Sequence, residues 1–380
     1  MSRRVLALTT SRADYGLLRP LLRGIDNYPE LELILVVSGT HLSPQYGNTV
    51  QEIEADGFKI AESIDLDIHD RSAAESDATE ILAKMTVGMA NALRRFTPDV
   101  LLVLGDRYEI LAACSSALLM SVPIAHVHGG EVTNGAVDDA IRHSISKMAS
   151  LHFPVHETYA SRLRQLGERD SDIVIIDPPV RETLHTFVPR PRNELETLLS
   201  IELREPVVAL SYHPVTRRPT SSLRELGVLL SVLDEYSELT VVVTGTNADP
   251  FASQHEHLLR EFVNNQPSQR TMVASLGHTN YLSLLKLSNC VIGNSSSGMI
   301  EAPLMGISSI SVGDRQNGRV VLPGVMQVRG TTAEIRVALD AVLSGTAHHT
   351  VVRSKPNSVE RVCDALAHHS LKLDKEFVDL

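Results

Sequence analysis

Asp99-Val100-Leu101-Leu102-Val103-Leu104, with Gly105-Asp106-Arg107 behind it, decides the architecture. The run has no polar alternation, so it reads as a strand buried on both faces, the kind found in parallel sheets. Glu109–Met120 then reads as a helix and Pro123–His128 as a second buried strand. A helix between two such strands is the parallel crossover unit. The same alternation runs outward in both directions. Towards the N-terminus lie a strand at Val5–Leu8 and a helix at Tyr15–Ile25, with Leu17, Leu18, Leu21 and Leu22 on one face. A strand at Leu31–Val37, a helix near Gly47–Ala55 and a long helix at Ala74–Phe96 follow. Beyond His128 come a helix at Ala136–Ser150, a strand at Leu151–Pro154, a helix at Thr158–Leu166 and a strand at Asp172–Ile176. Asp177–Glu205, rich in Pro, Arg and Glu, reads as a connection.

Alternation then restarts. Strands are expected at Pro206–Ser211, Leu239–Val243, near Thr271–Ala274, at Cys290–Gly293 and at Ser308–Val312. Helices are expected at Ser221–Leu233, near Ser253–Asn264, at Tyr281–Leu287, Gly298–Met305, Thr332–Leu343 and Val359–His369. The fold class is therefore α/β, with two doubly wound Rossmann-like domains facing a cleft, at residues 1–178 and 190–355. The C-terminal stretch 359–380 is a candidate to pack back on the first domain.

Of the 380 residues, 43% are hydrophobic and 21% charged, a globular balance and not a disordered one. Aromatics are 4% with no Trp, the net charge is −11, and no basic run occurs, so nucleic acid is not an expected partner. An anionic ligand would need a local cluster of donors. Three cysteines far apart, Cys114, Cys290 and Cys363, suit a reducing cytoplasm and not a disulfide framework. Thr9-Thr10-Ser11-Arg12 cuts short the apolar run after the basic start, so a signal peptide is not expected. No 18-residue apolar stretch exists, so neither is a membrane span.

Chemistry-bearing residues recur just after strands. Gly293-Asn294-Ser295-Ser296-Ser297-Gly298 joins a strand to a helix. Small residues, three hydroxyls and free helix N–H groups make it a candidate phosphate cradle, or else an ordinary capped turn. It is neither a P-loop nor a dinucleotide fingerprint, so no NTPase or NAD chemistry is expected. Glu301, one turn on, could accept the two hydroxyls of a ribose, or simply complement the helix dipole. Asp106 follows its strand either as a cleft carboxylate or as a helix N-cap. His126-Val127-His128-Gly129-Gly130-Glu131 leads to Asp138-Asp139-Ala140-Ile141-Arg142-His143. The two histidines alternate across a strand without a supporting Cys, so no metal is expected. Asp138–Arg142 and Asp139–His143 read in the bland case as i,i+4 surface pairs. Arg12, His213, Arg315 and Gln316 also follow strands.

Taken in order, Ser11-Arg12-Ala13-Asp14-Tyr15-Gly16, Leu104-Gly105-Asp106-Arg107, His128-Gly129-Gly130-Glu131, Arg142-His143-Ser144-Ile145-Ser146-Lys147, His213-Pro214-Val215-Thr216, Gly293–Gly298 and Gly313-Asp314-Arg315-Gln316 resemble the hydrolysing UDP-N-acetylglucosamine 2-epimerases of bacterial sialic-acid pathways. The resemblance spans residues 9 to 319. It implies a GT-B-like fold and conversion of UDP-N-acetylglucosamine and water to N-acetylmannosamine and UDP, through 2-acetamidoglucal. With no Cys/His cluster of ligand spacing and no dinucleotide fingerprint, no cofactor and no metal are expected. Asp106 and Asp138 fall where the family places catalytic carboxylates. A third family acid is often a Glu two residues after the strand-end His; here that position is His128, which leaves His128 or Glu131 to complete proton transfer. His213 would steady the leaving diphosphate or the sugar. UDP would be gripped mainly by the second domain, through Ser295, Ser296, Ser297, Gly298, Glu301, Arg315 and Gln316, with Arg12 from the first. Two alternatives stand beside this reading. One is the same reaction on UDP-2,4-diacetamido-2,4,6-trideoxyglucose in legionaminic-acid synthesis; the other is a nucleotide-sugar-binding regulator without turnover. The expected partner is a UDP-sugar, and a homo-oligomer, dimer or tetramer, is expected.

Overall fold

The computed structural model describes residues 2–68, 78–215, 218–245, 252–274, 276–345 and 355–379. Residues 74–77 of the expected long helix, Thr216 and Ser354 lie outside them. The chain forms two compact units. Unit 1 takes Met1–Glu131, Val137–Thr186 and Lys355–Leu380; unit 2 takes Val132–Ala136 and Phe187–Ser354.

Unit 1 runs β1 (Arg3–Thr9), α1 (Arg12–Asn27), β2 (Leu31–Ser38), α2 (Val50–Ala55), β3 (Ile60–Ile64), α3 (Ala78–Phe96), β4 (Val100–Leu104), α4 (Tyr108–Leu119), β5 (Ile124–Val127), α5 (Val137–Met148), β6 (Leu151–Phe153), α6 (Glu157–Gln165) and α7 (Val180–Thr186). Its strands form one parallel sheet in the order β3-β2-β1-β4-β5-β6. Side chains alternate across a strand, so β1 feeds two cores: Val5 and Ala7 join one, Leu6 and Leu8 the other. All four are fully buried. That is why these strands are apolar throughout, and each buried Leu contributes roughly 1.5–3 kcal/mol.

Unit 2 runs α8 (Arg192–Leu199), β7 (Val207–Ser211), α9 (Pro219–Leu233), β8 (Thr240–Thr244), α10 (Ala252–Asn265), β9 (Arg270–Val273), α11 (His278–Leu287), β10 (Cys290–Gly293), α12 (Glu301–Leu304), β11 (Ser308–Val312), β12 (Val325–Val328) and α13 (Thr332–Leu343). Its parallel sheet has the order β12-β11-β10-β7-β8-β9. Val208 and Leu210 of β7, Leu226, Leu229 and Leu233 of α9, and Ile292 and Ile310 share its core. The chain then returns to unit 1 as α14 (Ser358–His368), whose Val362 and Leu366 share a core with Leu18, Leu22 and Ile25 of α1.

Three local expectations need correction. Asp172–Ile176 pairs too briefly to form a strand: Ile173 makes a single parallel bridge to His152, with Val174 N donating to His152 O (2.8 Å) and Ile176 N to Pro154 O (3.0 Å). Asp177–Glu205 is not a bare connection, because it contains α7 and α8. The helix expected at Gly298–Met305 is broken into a 3-10 turn at Ser296–Gly298 and the four residues of α12.

Candidate active site

In unit 1 the sheet reverses its order of growth between β1 and β4, and ligands in such sheets bind beyond the strand ends at that point. Three motifs sit there. After β1, Ser11 caps α1, and the buried Asp14 carboxylate accepts from Thr9 Oγ1 (2.5 Å), Thr10 N (2.9 Å), Thr10 Oγ1 (2.8 Å) and Ser11 N (3.1 Å). His41 Nε2 stands 2.9 Å from Thr9 Oγ1. Burial opposes ionisation of Asp14, but His41 and these donors outweigh it and hold its pKa below the usual value. Asp14 therefore shapes the turn that presents Arg12, the part-buried first residue of α1.

After β4, Gly105 donates to Val127 O at 3.1 Å, which ties this loop to the end of β5. Asp106 pairs with Arg142 of α5, whose guanidinium is almost wholly buried. Asp138, in the first turn of α5, is one helical turn before Arg142 and so on the same face. Asp139 behaves as the bland reading has it, facing His143 at 3.8 Å.

After β5, His126 bridges two elements. Its Nδ1 lies 3.1 Å from Ser146 Oγ of α5, and its Nε2 lies 2.8 Å from Gly105 O. Burial pulls its pKa down to about 3, although the Gly105 carbonyl works the other way, so the ring is neutral. His128 adopts φ +64°, an uncommon backbone for a side-chain-bearing residue. Its Nδ1 is 2.5 Å from Glu131 Oε1; both residues are buried, and His128 Nε2 has no hydrogen-bond partner among the described residues. Gly130 must be glycine: at φ +78° a Cβ would stand 2.3 Å from Tyr159 O. The structure thus gathers Asp106, Arg142, Asp138, His128 and Glu131 at the carboxyl ends of β4 and β5.

Unit 2 builds a second cluster around Asn294. Gly293, at φ +139°, passes so close to β7 that a Cβ would lie 1.9 Å from Ser211 O. This close approach seats the Asn294 amide against the backbone of His213, accepting from its N–H (2.7 Å) and donating to its carbonyl (2.8 Å). The Asn294 carbonyl accepts from Arg315 (3.1 Å) and Gln316 Nε2 (2.7 Å). His213, Ser295–Gly298, Arg315 and Gln316 are therefore together at the ends of β7, β10 and β11. Ser297 Oγ is 2.5 Å from Tyr281 OH, and Ser295 Oγ caps Ser297 N at 3.3 Å. Gln316 is buried with Oε1 unpartnered among the described residues, a costly state for an amide oxygen. Glu301 is the part-buried first residue of α12. Because α12 is only four residues long, donors here are hydroxyls and loop N–H groups more than a helix dipole. Residues Val132–Ala136, between Glu131 and Asp138, belong to this unit: Asn134 N donates to Arg315 O (3.0 Å) and Arg319 to Val132 O (3.0 Å).

Among the described residues no group of three or more His, Cys, Asp or Glu could hold a metal, and no helix is long and apolar enough to cross a membrane.

Residues 23–367 match the family model described as UDP-N-acetylglucosamine 2-epimerase. The chain belongs to that family. Within it, the chain is similar to the GDP/UDP-N,N'-diacetylbacillosamine 2-epimerase (hydrolyzing) of Campylobacter jejuni, 36% identical over 84% of this chain and 82% of the relative. It is 31% identical to the UDP-N,N'-diacetylbacillosamine 2-epimerase (hydrolyzing) of Legionella pneumophila, over 91% and 88%. The polysialic acid biosynthesis protein P7 of Escherichia coli is 35% identical, over 86% and 82%. Two of these relatives are named as hydrolysing 2-epimerases. The fold is GT-B-like: it matches the crystal structure of UDP-GlcNAc 2-epimerase from Neisseria meningitidis bound to UDP-GlcNAc, with a TM-score of 0.78 at 16% identity, over 96% of this chain and 99% of that chain.

For this epimerase, sequence reasoning missed Arg142 as the partner of Asp106, His126 as the tie between α5 and the Gly105 loop, and Asn294 as the hub of unit 2. Arg142 and His126 lie 36 and 21 residues from the groups they hold. The signal for Asn294 was present: an amide between a glycine and three serines donates and accepts at once.

Proposed function

We propose that the protein is a hydrolysing 2-epimerase of a UDP-linked 2-acetamido sugar, taking UDP-N-acetylglucosamine and water to N-acetylmannosamine and UDP. The observation that carries this reading is the buried His128–Glu131 pair beside the Asp106–Arg142 pair. The C2 proton is too weakly acidic for a carboxylate until positive charge builds at C1. Early departure of UDP supplies that charge, as in glycosidase transition states. The C1–O bond breaks, a carboxylate takes the C2 proton, and the C1–C2 double bond of 2-acetamidoglucal forms. Water then adds at C1 while a proton returns to C2 on the opposite face. Asp106 and Asp138 act at C1–C2, and His128 or Glu131 completes proton transfer. Ser295–Gly298, Glu301, Arg315, Gln316 and Arg12 hold UDP, and His213 steadies the leaving diphosphate or the sugar.

A second reading keeps this chemistry on UDP-2,4-diacetamido-2,4,6-trideoxyglucose. It is favoured by the names of two relatives at 36% and 31% identity. Cytoplasmic location is supported by three buried free thiols, and homo-oligomerisation by exposed Val87, Leu118 and Leu119 on α3 and α4. Incubation with each UDP-sugar, followed by chromatography of released UDP, tests the reading. The substrate is the sugar that yields stoichiometric UDP and a free 2-epimer. Tight UDP binding with no release from either sugar over hours would instead identify a binding regulator.

A further inference from the structure

Asp138, Arg142 and Ser146 are spaced four apart on α5 and form one stripe along it. Arg142 holds Asp106, and Ser146 Oγ holds His126, whose other nitrogen meets the carbonyl of Gly105. The position of α5 therefore sets the position of both carboxylates. Its C-terminal end leaves carbonyls without intrahelical partners. Carbonyls there accept from a residue 226 to 229 positions further along the chain, Ser146 O taking in addition the N–H of Ala149 (3.2 Å). Lys375 Nζ donates to the carbonyls of Ser146 (3.3 Å), Lys147 (2.8 Å) and Ala149 (2.6 Å), and it pairs with Glu168. Glu168 is buried and also meets Lys147 Nζ and His152 Nε2, each at 3.0 Å. A cation there also complements the negative end of the helix dipole.

The tail that delivers Lys375 has no helix or strand of its own after α14. It is held by one backbone hydrogen bond, from Val378 N to Gly167 O (3.1 Å), and by side chains: Glu376 pairs with Arg169 (2.6 Å), and the Phe377 ring covers Gly167 with Lys147 Nζ 4.7 Å from its centroid. One end of the α5 stripe carries reacting groups and the other is clamped by a strap.

We propose that Lys375 is a positioning residue for the epimerase reaction, clamping the C-terminal end of α5 so that Arg142 and the Ser146–His126–Gly105 relay hold Asp106 and Asp138 at the working geometry. This rests on the reaction proposed above. A displacement of about an ångström at reacting groups costs on the order of 100-fold in rate, so loosening α5 reads out in kcat.

The test compares Lys375→Met, Lys375→Arg and Ser146→Ala in the full chain. Lys375→Met should lower kcat at least tenfold while KM and UDP affinity stay within about threefold. Lys375→Arg should recover most of that loss. The double variant Lys375→Met/Ser146→Ala should lose no more than its worse single, since both cut one relay. A folded Lys375→Met with kcat within twofold of wild type overturns the proposal, as does a strictly multiplicative double variant. Should Lys375→Met not fold, Phe377→Ala loosens the same strap and should lower kcat several-fold; unchanged kcat in that variant refutes the clamp. Amide hydrogen exchange separates this proposal from the choice of reaction. Even if no UDP-sugar turns over, Lys375→Met or Phe377→Ala should speed exchange both at Ile145–Ala149 and at Gly105. Faster exchange confined to the helix end would leave Lys375 a cap and overturn the relay.

Discussion

Lowering the pH should destabilise unit 1 through His126, and the size of the effect follows from its site. The ring is fully buried between α5 and the Gly105 loop, and burial pulls its pKa down to about 3. In the unfolded chain a histidine titrates near 6.5. Between those values the unfolded state binds a proton that the folded state refuses, so stability falls as pH falls, by about 1.4 kcal/mol per unit. From pH 6.5 to 5.0 the loss assigned to His126 alone is about 2 kcal/mol. His152 is buried nearby with its pKa also lowered by burial, and it adds to the same slope. His126→Gln isolates the contribution, because the amide cannot titrate while His152 remains. Urea unfolding followed by far-ultraviolet circular dichroism, at pH 7.5 and 5.0 and fixed ionic strength, gives the four stabilities. The gap between wild type and variant should shrink by about 2 kcal/mol at the lower pH. A gap that changes by less than about 0.5 kcal/mol means that the folded imidazole titrates normally, and the neutral bridge to Gly105 is then wrong.

Asp106→Asn and Asp138→Asn should each lower kcat by on the order of 10²–10⁴, because the amide keeps the size but cannot carry a proton. Calorimetry with UDP should be unaffected in both, and release of 2-acetamidoglucal, seen by its vinyl proton, would identify the acid that serves hydration. His128→Gln removes the transferable proton while keeping a polar partner for Glu131; a near-wild-type rate would assign the role to Glu131. Glu301→Ala should weaken UDP binding by roughly 1–3 kcal/mol if the carboxylate accepts the ribose hydroxyls, and unchanged affinity removes it from the site.

The alternation around Val100–Leu104 made both sheets legible, because strands buried on two faces are apolar throughout and stand out from helical spacing. Two of the four edge strands, β3 and β12, were not legible. β3 and β12 are short and mostly part-buried, so their residues carry no continuous apolar run. Asp172–Ile176 carries such a run and still is not a strand, because its pairing with β6, itself only three residues long, stops after one bridge. The helix expected over Gly298–Met305 starts only at Glu301: Pro303 has no N–H to reach the carbonyl of Met299, and a Pro is tolerated only in a helix's first turn, where α12 places it. In the site, residues at strand ends were visible by position: Asp106, His128, His213 and Arg315. The groups that hold them were not. Arg142, His126, Asn294 and Lys375 act across folded distance, and Lys375 lies 226 to 229 residues from the carbonyls it caps.

The central claim is that the C2–H bond is broken and remade on the opposite face while UDP is expelled. Proton NMR of the reaction in deuterated water, with UDP-N-acetylglucosamine and with UDP-2,4-diacetamido-2,4,6-trideoxyglucose in parallel, tests it most directly. The account predicts, for one of the two, free UDP and a free manno-configured sugar carrying deuterium at C2. A product that keeps its C2 proton, or one still attached to UDP, would contradict it.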